Sequence, residues 1–269
     1  SAKRISTFLA NPNISHNLRI QGLYALESWS KASRLDPIDG RYFPVIAGDM
    51  DALKEAIGPE IWALANDADN NISRQAIAVL QSINPDRAKL DQVSDLILDE
   101  TQRSDLRKGW LRWLRKWDRI LFTSVGTQAL NSKSPELRAV AAEELSEAGV
   151  GGSAVDNYLL ATLNNSSDTV ELQRAIKMIP RLNSKKYIIE KLVKELIDGR
   201  IAPEIQLEVL EEATAIARDY PEIRMLMDNY NNYINKQSVM KRYDVAMKGG
   251  NSEKGKGIFF SHAQAQCSK

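Results

Sequence analysis

The sequence predicts an all-α protein, a right-handed α-α superhelix of about six helical pairs with a C-terminal helical extension. Three observations carry that expectation. Six segments place apolar residues at i, i+4 and i+8 behind a polar turn, the stripe of a helix buried on one side. Their first positions recur 54, 34, 31, 35 and 33 residues apart, the period of a repeat built from two helices. The period-two alternation of a half-buried strand is nearly absent.

The six stripes are Leu18/Gly22/Leu26, Ile72/Ala76/Leu80, Leu106/Trp110/Leu114, Leu137/Ala141/Leu145, Leu172/Ile176/Pro180 and Ile205/Val209/Ala213. Ahead of them stand the turns NPNISHN, NDADNN, DETQRSD, NSKSPE, NNSSDTVE and DGRIAPE. Before each turn lies another apolar segment: Ile5 to Leu9, Ile61 to Ala65, Val93 to Leu98, Ile120 to Leu130, Tyr158 to Leu163 and Leu192 to Ile197. Pro59, Pro85, Pro135, Pro203 and Pro221 mark helix starts, where a missing N–H costs nothing. One such pair cannot cover its own apolar face. Neighbours must therefore stack and share a core, which defines a solenoid.

The 54-residue step contains an insertion, KASRLDPIDGRYFPVIAGD, residues 31–49. Pro37, Gly40, Pro44 and Gly48 preclude a long helix there. Tyr42 and Phe43 are its expected anchors on the solenoid edge, with a neighbouring domain as the other site for them. The resulting division is a solenoid over 1–217, a helical extension or linker over 218–249, and a distinct tail over 250–269.

Composition narrows the function classes. The 269 residues are 43% hydrophobic and 26% charged, with 36 basic against 35 acidic side chains and a net charge of +1. A balance so even supplies no global field for nucleic acid or an anionic bilayer, so any such contact must be local. No apolar run reaches the roughly 18 to 20 residues of a spanning helix, and SAKRISTFLA lacks the core of a secretory signal. A lone cysteine, Cys267, and two distant histidines, His16 and His262, offer no usual zinc spacing. No metal or catalytic constellation is expected.

RSDLRKGWLRWLRKWDR, residues 103–119, combines seven basic and two acidic residues with three tryptophans. Basic and aromatic side chains together suit nucleic acid. Helical spacing instead gathers Leu106, Trp110, Trp113, Leu114 and Trp117 on a core face and turns Lys108, Arg112, Arg115 and Lys116 to solvent. Those four cations are the candidate face for an anionic partner, a phosphate backbone or an acidic protein surface. EELSEAGVGG, residues 143–152, lacks the lysine and preceding strand of a phosphate loop and reads as a turn. Glu208, Glu211 and Glu212 are expected on a solvated helix face. Met225, Met227, Met240 and Met247 are expected to fill core.

The leucine–arginine pairs Leu18-Arg19, Leu106-Arg107 and Leu137-Arg138 resemble HEAT-like repeats of the armadillo type, over residues 1–217. Leu172-Gln173 and Ile205-Gln206 depart from the pattern. DNA-binding glycosylases of HEAT-like fold make an interaction module, docking through residues 103–119, the alternative reading. The tail GNSEKGKGIFF is similar to the opening helix of a class I cytochrome c, with Gly250, Gly255, Ile258 and Phe259 at the positions of G-x-x-x-x-G-x-x-[IV]-F. Cys267 then stands where the first cysteine of C-x-x-C-H is expected, one helical turn later than usual.

Helical repeats running into a haem domain resemble large bacterial multidomain proteins of planctomycete type. These join a β-propeller resembling sugar dehydrogenases, HEAT-like repeats and a cytochrome c domain. The resemblance implies a non-enzymatic spacer within an exported oxidoreductase, periplasmic or extracellular, with haem c in the full-length parent only. Its implied partners are the adjacent domains of the same polypeptide. Cys267 is then the first haem-attachment cysteine.

Overall fold

The computed structural model describes residues 2–11, 13–30, 41–42, 49–237, 240, 243–250, 255–256 and 259, which form helices and the turns between them and include no strand. Two compact units divide the chain, residues 1–151 and 152–269.

The first unit contains α1 (Ala2–Leu9), α2 (His16–Glu27), α3 (Met50–Ala56), α4 (Pro59–Leu64), α5 (Asn70–Leu80), α6 (Arg87–Leu98), α7 (Ser104–Trp117), α8 (Arg119–Ala129) and α9 (Pro135–Glu147). Their starts are chemically marked. Side-chain oxygens of Ser15, Asp49, Asp69, Asp86, Asp118 and Ser134 accept first-turn N–H groups, each cap contributing about 1 kcal/mol. Pro59 and Pro135 occupy the first helical position. Pro85 does not, because α6 begins at Arg87 behind the Asp86 cap.

Each expected pair in this unit is in contact: α1 with α2, α4 with α5, α6 with α7, and α8 with α9. The second helices also meet in chain order, α2 with α5, α5 with α7, and α7 with α9. Leu26, Ile61, Leu80, Trp110, Trp113, Phe122, Leu137 and Leu145 are fully buried between them. Leu18 departs from its expected place at 54% exposure, while Leu23 and Leu26 form the buried stripe of α2. Gly22 faces Leu9, whose Cδ2 lies 2.9 Å from where a Cβ would stand. The 31–49 insertion mostly lies outside the described residues, Phe43 included. Tyr42 is exposed and therefore not an anchor, and the segment's ends meet where the Trp29 Nε1–H donates to the Asp49 carbonyl over 3.1 Å.

The second unit contains α10 (Gly152–Asn165), α11 (Thr169–Met178), α12 (Lys185–Ile197), α13 (Gln206–Ile216), α14 (Pro221–Gln237) and α15 (Asp244–Lys248). Short 3-10 turns follow α11 at Ile179–Arg181 and precede α13 at Pro203–Ile205. Pro180 stops α11, since a proline there removes an N–H and crowds the preceding turn. The pairs α10 with α11 and α12 with α13 are in contact, and α11 also meets α13. α14 packs on both α12 and α13, and its Ile223, Met227 and Ile234 are buried. Of the methionines expected in the core, only Met227 is buried. Met225, Met240 and Met247 are exposed, because α14 buries a narrow stripe and α15 buries no residue of its own.

The arginine that follows the leading leucine has a defined task in these helices. Arg19 donates to the Asn11 carbonyl, Arg107 to Ile97, and Arg138 to Ser132 and Lys133. In each case the guanidinium satisfies carbonyls at or ahead of the turn leading into its own helix, groups that no intrahelical donor reaches. Gln206 does the same toward Ile201 over 2.9 Å, whereas Gln173 reaches the Glu204 carbonyl in the following turn. Arg224, behind Ile223 in α14, hooks back to Ala217 and Arg218. The hook thus recurs beyond residue 217.

Candidate functional site

α7 carries both features of the 103–119 segment, on opposite sides. Trp110 and Trp113 are fully buried and Trp117 half-buried. Trp62 of α4 stacks on Trp110 with ring centroids 5.7 Å apart and planes 8° from parallel. Trp113 meets both rings edge-on at 5.8 and 5.6 Å, and Trp117 lies 6.5 Å beyond it. Such pairs contribute about 0.5 to 1.5 kcal/mol each beyond their buried area. Trp110 and Trp113 are interior, so stacking on bases is closed to them. Lys89 covers the Trp62 ring at 4.7 Å.

The basic side meets a complementary acidic row on α9. Lys108 pairs with Glu136. Arg112 Nε contacts Glu144 Oε1 at 2.8 Å, and Arg115 bridges Glu144 Oε2 at 2.6 Å and Glu147 Oε2 at 2.9 Å. Lys116 donates to the Gln81 carbonyl at 2.5 Å and lies 4.9 Å from the Trp117 ring centre. All four candidate cations therefore have partners, and Glu144, largely buried, serves two of them. The arrangement joins α7 to α9 through three of the four cations.

Three buried polar clusters lie outside the expected sites. Arg107 is only 2% exposed. It donates to both Glu100 carboxylate oxygens at 2.8 and 2.9 Å while its Nε holds the Ile97 carbonyl at 2.7 Å. That guanidinium, helped by donors from Ser132 and Lys133, brings the Glu100 carboxyl down to about 2. In the second unit, buried Glu171 accepts from Tyr158 Oη at 3.0 Å and Ser166 Oγ at 2.7 Å. Glu208 was expected on a solvated face and is instead 1% exposed on α13. Glu211 is exposed and Glu212 half-buried. Burial and the neighbouring Glu211 raise the Glu212 carboxyl, with Lys177 opposing.

His16 pairs through Nδ1 with Asp69 at 3.2 Å. Burial pushes the Asp69 carboxyl upward, but N–H groups of Asn71 and Ile72, with His16, outweigh it and hold the group lowered. Open clefts lie among the described residues. One, of about 310 Å³, lies between Leu9, Arg19, Glu60 and Asp67; a second, of about 280 Å³, is lined by Tyr187, Glu190, Lys191, Lys194, Glu195 and Arg200. The charges of the second pair with one another, Lys194 with Glu190 at 2.7 Å and Lys191 with Glu195 at 4.0 Å. Among the described residues no three His, Cys, Asp or Glu side chains converge as metal ligands, and no helix is long and apolar enough to cross a membrane.

Gly149 accounts for the glycine-rich turn after α9. Its φ of 66° lets Val150 N–H reach the Leu145 carbonyl at 2.9 Å, the closure of a helix end that glycine favours. In the tail, Gly250, Gly255 and Phe259 are described, and Phe259 is exposed. Ile258, His262 and Cys267 lie outside the described residues. The fold and these clusters define a protein of helical pairs held by arginine hooks and inter-helix charge pairs. No protein-family model matches the chain, and neither a curated protein nor a solved structure is significantly similar to it.

Proposed function

We propose that the chain is a non-catalytic HEAT-like scaffold, a right-handed α-α superhelix that spaces other domains of a longer polypeptide. The observation that carries this reading is the recurrence of one device, the arginine or glutamine hook onto the preceding turn, at Arg19, Arg107, Arg138, Gln206 and Arg224. A device that recurs in four of the six helical pairs, on α2, α7, α9 and α13, and again on α14, supports a structure whose units are alike and stack. The buried polar groups are spent on such internal contacts. Arg107 pairs with Glu100 and Glu171 with Tyr158, and the carboxylates of Glu190 and Glu195 at the second cleft pair with Lys194 and Lys191.

The domains so spaced are, on the resemblance of residues 250–269, a dehydrogenase-like β-propeller and a c-type haem domain of an exported bacterial protein. Covalent haem needs two thioethers and an axial histidine. These 269 residues contain one cysteine, so the chain by itself does not fit the group, and the haem is assigned to the longer protein with Cys267 as its first attachment point. The scaffold's contribution is distance: stacked helical pairs fix the separation between an electron donor and its acceptor. Docking of nucleic acid or an acidic protein on Lys108, Arg112, Arg115 and Lys116 is the weaker reading, since each of these already has a partner in α9, α7 or the Gln81 turn.

The test is expression of the native reading frame, carried beyond Lys269, together with the cytochrome c maturation machinery. A Soret band that disappears on Cys267→Ser is the expected result. A colourless product overturns the assignment.

A further inference from the structure

Glu208 is a carboxylate at 1% exposure on α13. Its Oε1 accepts the Gly250 N–H at 3.2 Å, and its Oε2 is buried without a hydrogen-bond partner. A carboxylate removed from water with so little compensation is costly. The segment it holds is shaped for that one place. Gly250 has a φ of 103°, which L side chains rarely adopt. A Cβ on Gly249 would stand 2.8 Å from Leu207 Cβ and 3.1 Å from the Val245 carbonyl oxygen. α15 rests on α13 and on the 3-10 turn before it, although it buries no residue of its own. Apolar burial is therefore not what keeps the segment in place.

We propose that Glu208 and the Gly249-Gly250 pair form a latch, in which the buried carboxylate binds the glycine backbone and so holds the C-terminal end of α15 against α13. Gly249 permits the close approach that a Cβ would block and Gly250 the backbone turn that a side chain would strain, while the carboxylate supplies the charge-assisted bond that holds them. The latch stands on these contacts alone, while its use as the anchor of a following domain rests on the scaffold reading.

Trypsin cleavage after Lys248 in the full chain measures the latch directly. Gly250→Val and Glu208→Ala are each expected to speed this cleavage roughly tenfold, the scale of one lost charge-assisted bond. Glu208→Gln, which keeps the acceptor oxygen but not the charge, falls between wild type and Glu208→Ala. The double variant Glu208→Ala/Gly250→Val is no faster than either single one, because both break the same contact. If Glu208→Ala fails to fold, Gly250→Val decides alone. Wild-type cleavage in Gly250→Val, or rate effects that multiply in the double variant, would overturn the latch. Neither outcome bears on the Soret band of the extended protein.

Discussion

Arg107 illustrates how one residue holds a turn. Its three contacts tie the end of α6, the Glu100 carboxylate and its own helix α7 into one clasp. Replacing it with methionine keeps the aliphatic stem but leaves the Ile97 carbonyl and Glu100 without their main donor. We expect a loss of about 2 to 3 kcal/mol in urea unfolding, the cost of stranding buried polar groups next to a partly solvated charge. The same clasp has a pH signature. Glu100 titrates at about 2 in the folded chain against an ordinary value of 4.5, so its contribution is complete above the higher value and is lost as pH falls toward the lower one. Wild type should therefore exceed Glu100→Gln in thermal midpoint by a constant margin near neutrality. That margin should shrink below pH 4.5 and vanish near pH 2; a margin that persists there would place the stabilisation elsewhere.

Between elements, packing and charge complementarity make separate contributions that separate variants can read. Gly126 of α8 sits where a Cβ would meet Leu145 Cδ2 at 3.0 Å and Cγ at 3.2 Å. An alanine there gains about 1 kcal/mol of helix propensity against that contact. A valine adds bulk that α9 cannot clear, and Gly126→Val should cost roughly 1 to 3 kcal/mol by overpacking, measured by chemical denaturation. The α7–α9 charge row predicts a different readout. Neutralising Glu136, Glu144 and Glu147 together to glutamine should strengthen retention on a polyanion column at low salt, with the gain lost as salt screens it. Unchanged retention would mean that the four cations are silent for a reason other than pairing. The tryptophan and cation faces of α7 were legible from three- and four-residue spacing. The acidic row was not, because Glu136, Glu144 and Glu147 lie on another repeat, and only tertiary packing brings them opposite.

Across the whole chain, the legible part was what repeats locally. Four of the six expected stripes lie wholly on α-helices, while Pro180 and Ile205 fall in the 3-10 turns beside α11 and α13. Four of the polar turns supply a side-chain cap, at Ser15, Asp69, Ser134 and Asp168. Stripes and caps are both set by residues within one helical turn of each other. Glu208 was misread because its spacing from Glu211 and Glu212 describes a helix face without revealing that Gly250, 42 positions on, closes over it. Met225, Met240 and Met247 were misread for the converse reason: an apolar side chain is buried only if another element arrives to cover it. Contacts in the first unit run mainly between helices close in sequence, such as α5 with α7 and α7 with α9. On the stacked-pair reading proposed above, stability is expected to spread chiefly by nearest-neighbour interfaces rather than through one common core. Truncating the fully buried Leu145 to alanine removes contacts of α9 and should cost about 2 to 5 kcal/mol locally. Hydrogen exchange resolves how far that cost travels. Amides of α8 and α9 should lose most protection and those of α7 part of it, while those of α1 and α2 stay close to wild type. Equal loss from α1 through α9 would instead make the first unit a single cooperative block, and the reading of it as stacked equivalent pairs would fail.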